Sequence, residues 1–102
     1  MATILRGTTP TFTFTLPFEA DTLDAFWVSF RQSKTEMNKE KGNPGVTQNL
    51  KAITVTLSQE ETLQFAAGKC QIQIRGRDKT GKAIASNIMS IEVADVLRSG
   101  VI

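Results

Sequence analysis

The stretch Ile53–Arg75, which reads ITVTLSQEETLQFAAGKCQIQIR, decides the fold of this chain. It opens with strict alternation, in which Ile53, Val55 and Leu57 point one way and threonines point the other way. Residues that are β-branched and repeat with a period of two indicate a half-buried strand. Alternation resumes after residue 68 and predicts a second strand, whose inward residues are Cys70, Ile72 and Ile74.

Between the two strands, Ser58 and Glu61 have the spacing of a capping box. In that motif the serine hydroxyl accepts a hydrogen bond from a free backbone amide, and the glutamate side chain accepts one from the serine amide. The pattern predicts one or two helical turns over residues 59–65, with Leu63 or Phe65 turned inward. A strand, a helical corner and a second strand connect the two sheets of a β-sandwich, because a tight hairpin would keep both strands in one sheet.

Two other segments alternate in the same way. Residues 11–18 (TFTFTLPF) alternate threonine with apolar residues, and they predict a strand that ends at Pro17 or lies at a sheet edge. Residues 83–93 predict the last strand of the fold, interrupted at residues 85–87 by a bulge.

Trp27 stands opposite three apolar residues in the alternating segment 25–33. Because Phe26, Val28 and Phe30 outnumber it, the count predicts that these three face the core. Trp27 is then expected on the outer face, half-covered by a loop, a connector or a neighbouring chain.

Residues 34–49 are polar and carry mixed charges, so a solvated hairpin or mobile loop is expected there. Met37 could anchor a short strand within it, and Gly42–Gly45 (GNPG) is a strong turn signal. The alternative is a partner-binding loop, because loops on a rigid sandwich carry much of its function.

These segments together predict a single all-β domain over residues 1–102. The spacing of strands and turns predicts an immunoglobulin-like or fibronectin-like β-sandwich of about six or seven strands, with a short helical corner near residues 59–65. A small Greek-key barrel is the alternative architecture.

The composition argues against the common catalytic and metal-binding chemistries. The 102 residues include no histidine and one cysteine, which excludes a Ser-His-Asp triad and a multi-thiolate zinc site. Cys70 occupies an inward strand position, where a thiol behaves as a small hydrophobe. The carboxylate pairs Asp21/Asp24 and Glu60/Glu61 fit a connector and a helix cap. We therefore expect a non-enzymatic protein with no catalytic, cofactor-binding or metal-binding residues.

Charge and hydropathy also narrow the class of partner. The net charge of +2 is too small to indicate binding to nucleic acid or to an acidic membrane surface. No segment approaches the roughly 20 apolar residues of a membrane span. The first residues, MATILRGTTP, contain no apolar run of secretory length. We expect a protein that is made and folded in a cytoplasm and binds neither nucleic acid nor membrane.

Four segments resemble a family of small proteins encoded by phages and prophages of Gram-positive bacteria. They are residues 6–14 (RGTTPTFTF), 54–62 (TVTLSQEET), 68–75 (GKCQIQIR) and 81–87 (GKAIASN). The resemblance covers nearly the whole chain and is weakest in residues 34–49. The sequence pattern is also similar to that of the immunoglobulin-like N-terminal domain of phage baseplate upper proteins. It implies a virion structural protein of the tail or baseplate that is synthesised in the cytoplasm of the bacterial host and contacts other virion proteins or itself.

The candidate interface joins an outward aromatic residue, a polar ladder and the C-terminal tail: Trp27; Gln71, Gln73 and Arg75; Val101 and Ile102. Apolar residues stand near both chain ends, so we expect a homo-oligomer whose contacts include the tail; the alternative is that the ends fold back onto their own sheets. The competing function is an adhesion or carbohydrate-binding module on the same sandwich.

Overall fold

Two β-sheets pack face to face in the computed structural model, which describes residues 2–102. Its two short helices are a 3₁₀ turn, Ala20–Thr22, and α1, Gln59–Thr62. The strands, in chain order, are β1 (Ala2–Leu5), β2 (Thr11–Thr15), β3 (Leu23–Gln32), β4 (Thr35–Glu40), β5 (Val46–Asn49), β6 (Ala52–Thr56), β7 (Gly68–Asp78), β8 (Ala83–Ala85) and β9 (Met89–Ala94).

The strand order is β1-β9-β7-β3-β4 in the large sheet and β2-β6-β5 in the small sheet, and β8 also pairs with β7. β1 runs parallel to β9, whereas the other described pairs are antiparallel. β3, β7 and β9 match strands C, F and G of an immunoglobulin domain, and β2, β6 and β5 match strands B, E and D. The all-β, immunoglobulin-like sandwich is therefore confirmed, with two separate sheets instead of a closed barrel.

The predicted inward faces form the core between the sheets. Three central strands each contribute three buried side chains, and these are Phe26, Val28 and Phe30; Ile53, Val55 and Leu57; Cys70, Ile72 and Ile74. Burial raises the pKa of the Cys70 thiol, which keeps it neutral as predicted for an inward cysteine. The apolar residues of β2 are only partly buried, because β2 lies at the edge of the small sheet.

The helical corner between β6 and β7 has the predicted capping box. Ser58 Oγ accepts a hydrogen bond from the Glu61 amide at 3.1 Å, and the Ser58 amide donates to Glu61 Oε1 at 2.8 Å. α1 is one turn long. The chain then turns toward the core, where Phe65 is buried with 1% of its surface exposed. Leu63 caps the C-terminal end of the helix and is only partly buried.

The prediction of a solvated hairpin or mobile loop over residues 34–49 was wrong, because most of this segment is strand and its two strands pair in different sheets. The short strand that Met37 could anchor is confirmed as β4, in which Met37 is buried. β4 lies at the edge of the large sheet and β5 at the edge of the small sheet, so the segment crosses between the layers. The predicted turn Gly42–Gly45 makes that crossing. Gly45 has φ of +81°, and a Cβ there would lie 2.5 Å from the Thr56 carbonyl oxygen, so glycine is required at this position.

The described residues form nine strands instead of the predicted six or seven, in part because a short strand such as β5 contains too few apolar residues to show a period. The predicted last strand is divided into β8 and β9 by the expected interruption. At this break Ser86 Oγ accepts a hydrogen bond from the Ile74 amide at 3.0 Å, and the Ser86 amide donates to the Ile74 carbonyl at 2.8 Å. Ser86 thereby supplies hydrogen-bond partners to the backbone of Ile74 in β7, at the point where regular strand pairing stops.

Candidate protein-interaction face

The outer surface of the large sheet carries three cross-strand rows of polar side chains around one tryptophan. The strand registers give the rows as Glu40–Trp27–Arg75, Asn38–Ser29–Gln73 and Glu36–Arg31–Gln71, on β4, β3 and β7. We call these nine residues the Trp27 face. They point outward because a strand alternates its side chains, and each of them has a buried residue next to it on its strand.

Trp27 is the large apolar side chain of this face, and it is 46% exposed. The guanidinium carbon of Arg75 lies 5.7 Å from the centre of the indole ring, in a cation–π contact. The structure thus confirms that Trp27 points outward. Its partial cover comes from Arg75 on the neighbouring strand β7, and not from a loop or connector as predicted. Exposed tryptophan and arginine are the residues most enriched at the energetic centres of protein interfaces.

Two open concavities border Trp27. One, of about 270 Å³, lies toward β8 and is lined in part by Arg75, Gly76 and Arg77. The other, of about 310 Å³, lies toward β4 and is lined by Ser29, Glu36, Asn38 and Glu40 together with Trp27 and Arg75. Both are wide and shallow, so they suit projecting side chains or a sugar ring better than an enclosed small molecule.

Hydrogen bonds hold part of the Trp27 face in place. Ser29 Oγ donates to Asn38 Oδ1 at 2.6 Å, and Asn38 Nδ2 donates to Glu36 Oε2 at 3.3 Å. Gln73 Nε2 donates to the Ser86 carbonyl at 3.0 Å. The face carries two arginines and two glutamates, so its charges balance, and it can offer donors and acceptors to a partner of either sign.

The structure brings four of the six predicted interface residues together and separates the other two. Trp27 and its ladder residues Gln71, Gln73 and Arg75 share one face, whereas Val101 and Ile102 lie at the end of the sandwich beside α1. The Ile102 amide donates to Gln59 Oε1 at 2.9 Å, and Gln59 Nε2 donates to the Ile102 carbonyl at 3.4 Å. Ile102 remains fully exposed at this position.

Sequence reasoning missed the contribution of β4. Its outer residues Glu36, Asn38 and Glu40 complete the Trp27 face, but they belong to the segment that was predicted to be a solvated hairpin or mobile loop, with a short strand at Met37 as a possibility. The available signal was the alternation of these residues with Thr35, Met37 and Lys39. The inward Lys39 obscured this alternation, because a charged residue at a core position breaks the apolar period.

The predicted absence of a catalytic centre stays a prediction, and one carboxylate of each candidate pair has a structural contact. Glu61 completes the capping box and accepts a hydrogen bond from Lys39 Nζ at 2.8 Å. Asp24 lies 3.4 Å from Arg77 in an exposed ion pair. Within residues 2–102, no three histidine, cysteine or carboxylate side chains cluster as metal ligands would. No helix in the described part of the chain has the length and apolarity to cross a membrane.

No protein-family model matches the sequence, and no curated protein sequence matches it. Among solved structures, the chain is similar to the crystal structure of a candidate glycoside hydrolase from Bacteroides vulgatus ATCC 8482, with a TM-score of 0.59 and 9% sequence identity. The match covers 94% of this chain and 17% of that chain. At such low identity the similarity shows the sandwich fold alone. The matched region is a small part of that larger protein.

Proposed function

We propose that this chain is a non-enzymatic structural component of a phage particle, in the tail or baseplate, and that it binds another virion protein through the Trp27 face. The observation that carries the binding role is the half-exposed Trp27–Arg75 pair on a polar, charge-balanced sheet surface. The virion setting rests on the resemblance of four segments to phage-encoded proteins.

The shape and chemistry of the Trp27 face favour a protein partner. A standard interface buries about 800 Å² on each side and has an apolar centre surrounded by polar groups. Trp27 supplies such a centre, and Ser29, Asn38 and Gln73 supply hydrogen-bonding groups around it. Because β3 and β7 are interior strands of the large sheet, they present Trp27, Ser29 and Gln73 on a rigid support, so binding has little ordering cost.

Mass spectrometry of purified phage particles tests the virion role. Particles would be prepared from the bacterium that encodes the chain, washed at high salt, and analysed for protein stoichiometry. We expect the chain in a constant ratio to the major tail protein. Its absence from particles that contain all other tail proteins would contradict the proposal.

An adhesion or carbohydrate-binding module is the second candidate, because an exposed tryptophan beside polar side chains can stack on a sugar ring. The structural similarity to a candidate glycoside hydrolase is compatible with an accessory module of that kind. Trp27 is the only tryptophan and the chain has no tyrosine, so intrinsic fluorescence reports this face alone. A saturable fluorescence change with an oligosaccharide, together with loss of binding by Trp27→Ala in isothermal titration calorimetry, would favour this candidate over the virion role.

A further inference from the structure

The strand β2 leaves one edge of the small sheet open. In that sheet β2 pairs with β6 on one side, and β1, which could have covered its other side, pairs with β9 in the large sheet. An open edge presents unpaired amides and carbonyls and is a template for a further strand. Proteins commonly protect edges with charge, as β4 does with Glu36, Lys39 and Glu40, but Thr11–Thr15 contains no charged residue.

The hydrogen bonds of β2 show which of its backbone groups face the open edge. The Leu57 amide donates to the Pro10 carbonyl at 3.0 Å, and the Leu16 amide donates to the Lys51 carbonyl at 2.7 Å. In the register of β2 and β6, these bonds assign the even-numbered residues of this strand to the hydrogen-bonded pairs. Because such pairs alternate along an antiparallel ladder, the outward amides and carbonyls belong to Thr11, Thr13 and Thr15.

The sequence of β2 is self-complementary. Thr-Phe-Thr-Phe-Thr reads the same in both directions, so two copies aligned antiparallel about Thr13 place threonine opposite threonine and phenylalanine opposite phenylalanine. Pro10 and Pro17 stand just outside the strand, and Pro17 has no amide to extend the ladder. The pairing is therefore limited to five residues, within which no like charges meet.

We propose that two copies of this chain form a dimer by antiparallel pairing of their β2 strands, with the two-fold axis at Thr13. The outward groups of Thr11, Thr13 and Thr15 then bond to Thr15, Thr13 and Thr11 of the second copy. The two small sheets become one continuous sheet of six strands across the dimer. A two-fold interface of this kind uses the same patch on both copies and closes without forming a fibre.

The aromatic side chains of β2 support this arrangement. Phe12 and Phe14 point toward the core and stack with ring centroids 6.3 Å apart, yet both are only partly buried. The corresponding residues of the paired strand, Val55 and Ile53, are fully buried. A second β2 strand brings Phe14 of one copy beside Phe12 of the other and covers the side of these rings that the edge leaves open.

A charge-complementation experiment tests the dimer. Thr13 is exposed, and in the proposed dimer it lies opposite Thr13 of the second copy. Thr13→Lys or Thr13→Glu alone therefore places like charges directly opposite each other, which is destabilising. A mixture of the two variants places opposite charges there. Thr47→Lys is the matched control, because Thr47 is an exposed threonine on β5 at the far edge of the same sheet. The variants would be compared by sedimentation velocity over a concentration series and, for the mixture, by native mass spectrometry.

We expect a wild-type dimer, about a fivefold or greater weakening by each Thr13 variant alone, recovery as a mixed dimer on mixing, and no change with Thr47→Lys or Trp27→Ala. A wild-type protein that stays monomeric at millimolar concentration overturns the proposal. So does equal weakening by Thr13→Lys and Thr47→Lys, or a failure of the mixture to recover. Dissociation on deleting residues 99–102, with Thr13→Lys still dimeric, would overturn it in favour of the tail.

Discussion

At the scale of single residues, the contact between Lys39 and Glu61 has the clearest energetic consequence. Lys39 points inward from β4 and is 7% exposed, and its Nζ atom lies 2.8 Å from Glu61 Oε2. Burial acts to raise the pKa of Glu61, but hydrogen bonds from Lys39 and from the Ser58 amide outweigh it and hold the pKa below its ordinary value of 4.5. Removing the carboxylate would leave the Lys39 charge buried without its partner.

Glu61→Gln is expected to lower the free energy of unfolding by about 1.5–3 kcal/mol near neutral pH, the range for hydrogen bonds to charged groups. Because the pKa is lowered in the folded state, this stabilisation is fully present above about pH 4.5 and is lost as the pH falls through the folded pKa. The difference between variant and wild type should therefore shrink in acid. Urea unfolding at pH 7 and pH 3 measures it, with exposed Glu60→Gln as the control. A difference that is the same at both pH values would contradict this account.

Gly45 is expected to be far less replaceable than Gly42, although both lie in the same turn with positive φ. Gly42 has φ of +91°, and a Cβ added there would have nothing within 4 Å, whereas one added at Gly45 would meet the Thr56 carbonyl oxygen. Gly42→Ala should therefore report backbone strain alone, at about 1 kcal/mol, and Gly45→Ala should cost distinctly more. Thermal unfolding of the two variants makes the comparison, and equal losses would show that the turn relaxes around the added methyl group.

Single residues also show how far the sequence predicts orientation. Trp27 could be assigned to the outer face because three apolar neighbours outnumbered it. Lys39 could not be assigned to the core, because its burial depends on Glu61, which lies 22 residues away. A pairing at that separation is visible only once the chain has folded.

At the scale of elements, the helical corner and the strands on either side were predictable because their signals are local. The capping box lies within four residues, and the inward positions of β6 and β7 follow from a period of two. β4 was indicated only by Met37, and β5 was not predictable, because both strands lie at sheet edges and their mostly polar residues show no apolar period.

The corner can be tested with substitutions on each side of it. Ser58→Ala should cost about 1 kcal/mol by removing the helix cap, and Ile72→Ala should cost about 2–5 kcal/mol by leaving a cavity in the core. Gln71→Ala, on the outer face of the same strand, should change stability by no more than about 0.5 kcal/mol. Chemical denaturation measures all three, and similar small losses for Ser58→Ala and Ile72→Ala would contradict the assigned corner and inward face.

At the scale of the whole molecule, the fold separates surfaces that the sequence pattern grouped together. The predicted interface combined Trp27 with the C-terminal tail, but the tail lies beside α1. From Gly68, near that end, to Arg75 opposite Trp27, β7 rises by seven residues, or roughly 23 Å. The open edge of β2 is a third surface. Its exposure depends on the pairing of β1 with β9, which is a non-local event that no sequence period reveals.

The two proposals use different surfaces, so they describe independent ways to assemble. In the first, the Trp27 face binds a different protein; in the second, the β2 edge pairs with a second copy. A component that uses both could be placed on a virion as a dimer, with the two Trp27 faces related by the two-fold axis at Thr13.

The most direct measurement of the central claim is the incorporation of Trp27→Ala into phage particles. Tagged wild-type, Trp27→Ala and Thr47→Lys chains would be expressed separately in the host during particle production, and the tag would be quantified in purified particles. Loss of an aromatic anchor costs about 2 kcal/mol or more at an interface, so Trp27→Ala should be depleted roughly 30-fold while Thr47→Lys matches wild type. Equal incorporation of all three chains would contradict assembly through the Trp27 face.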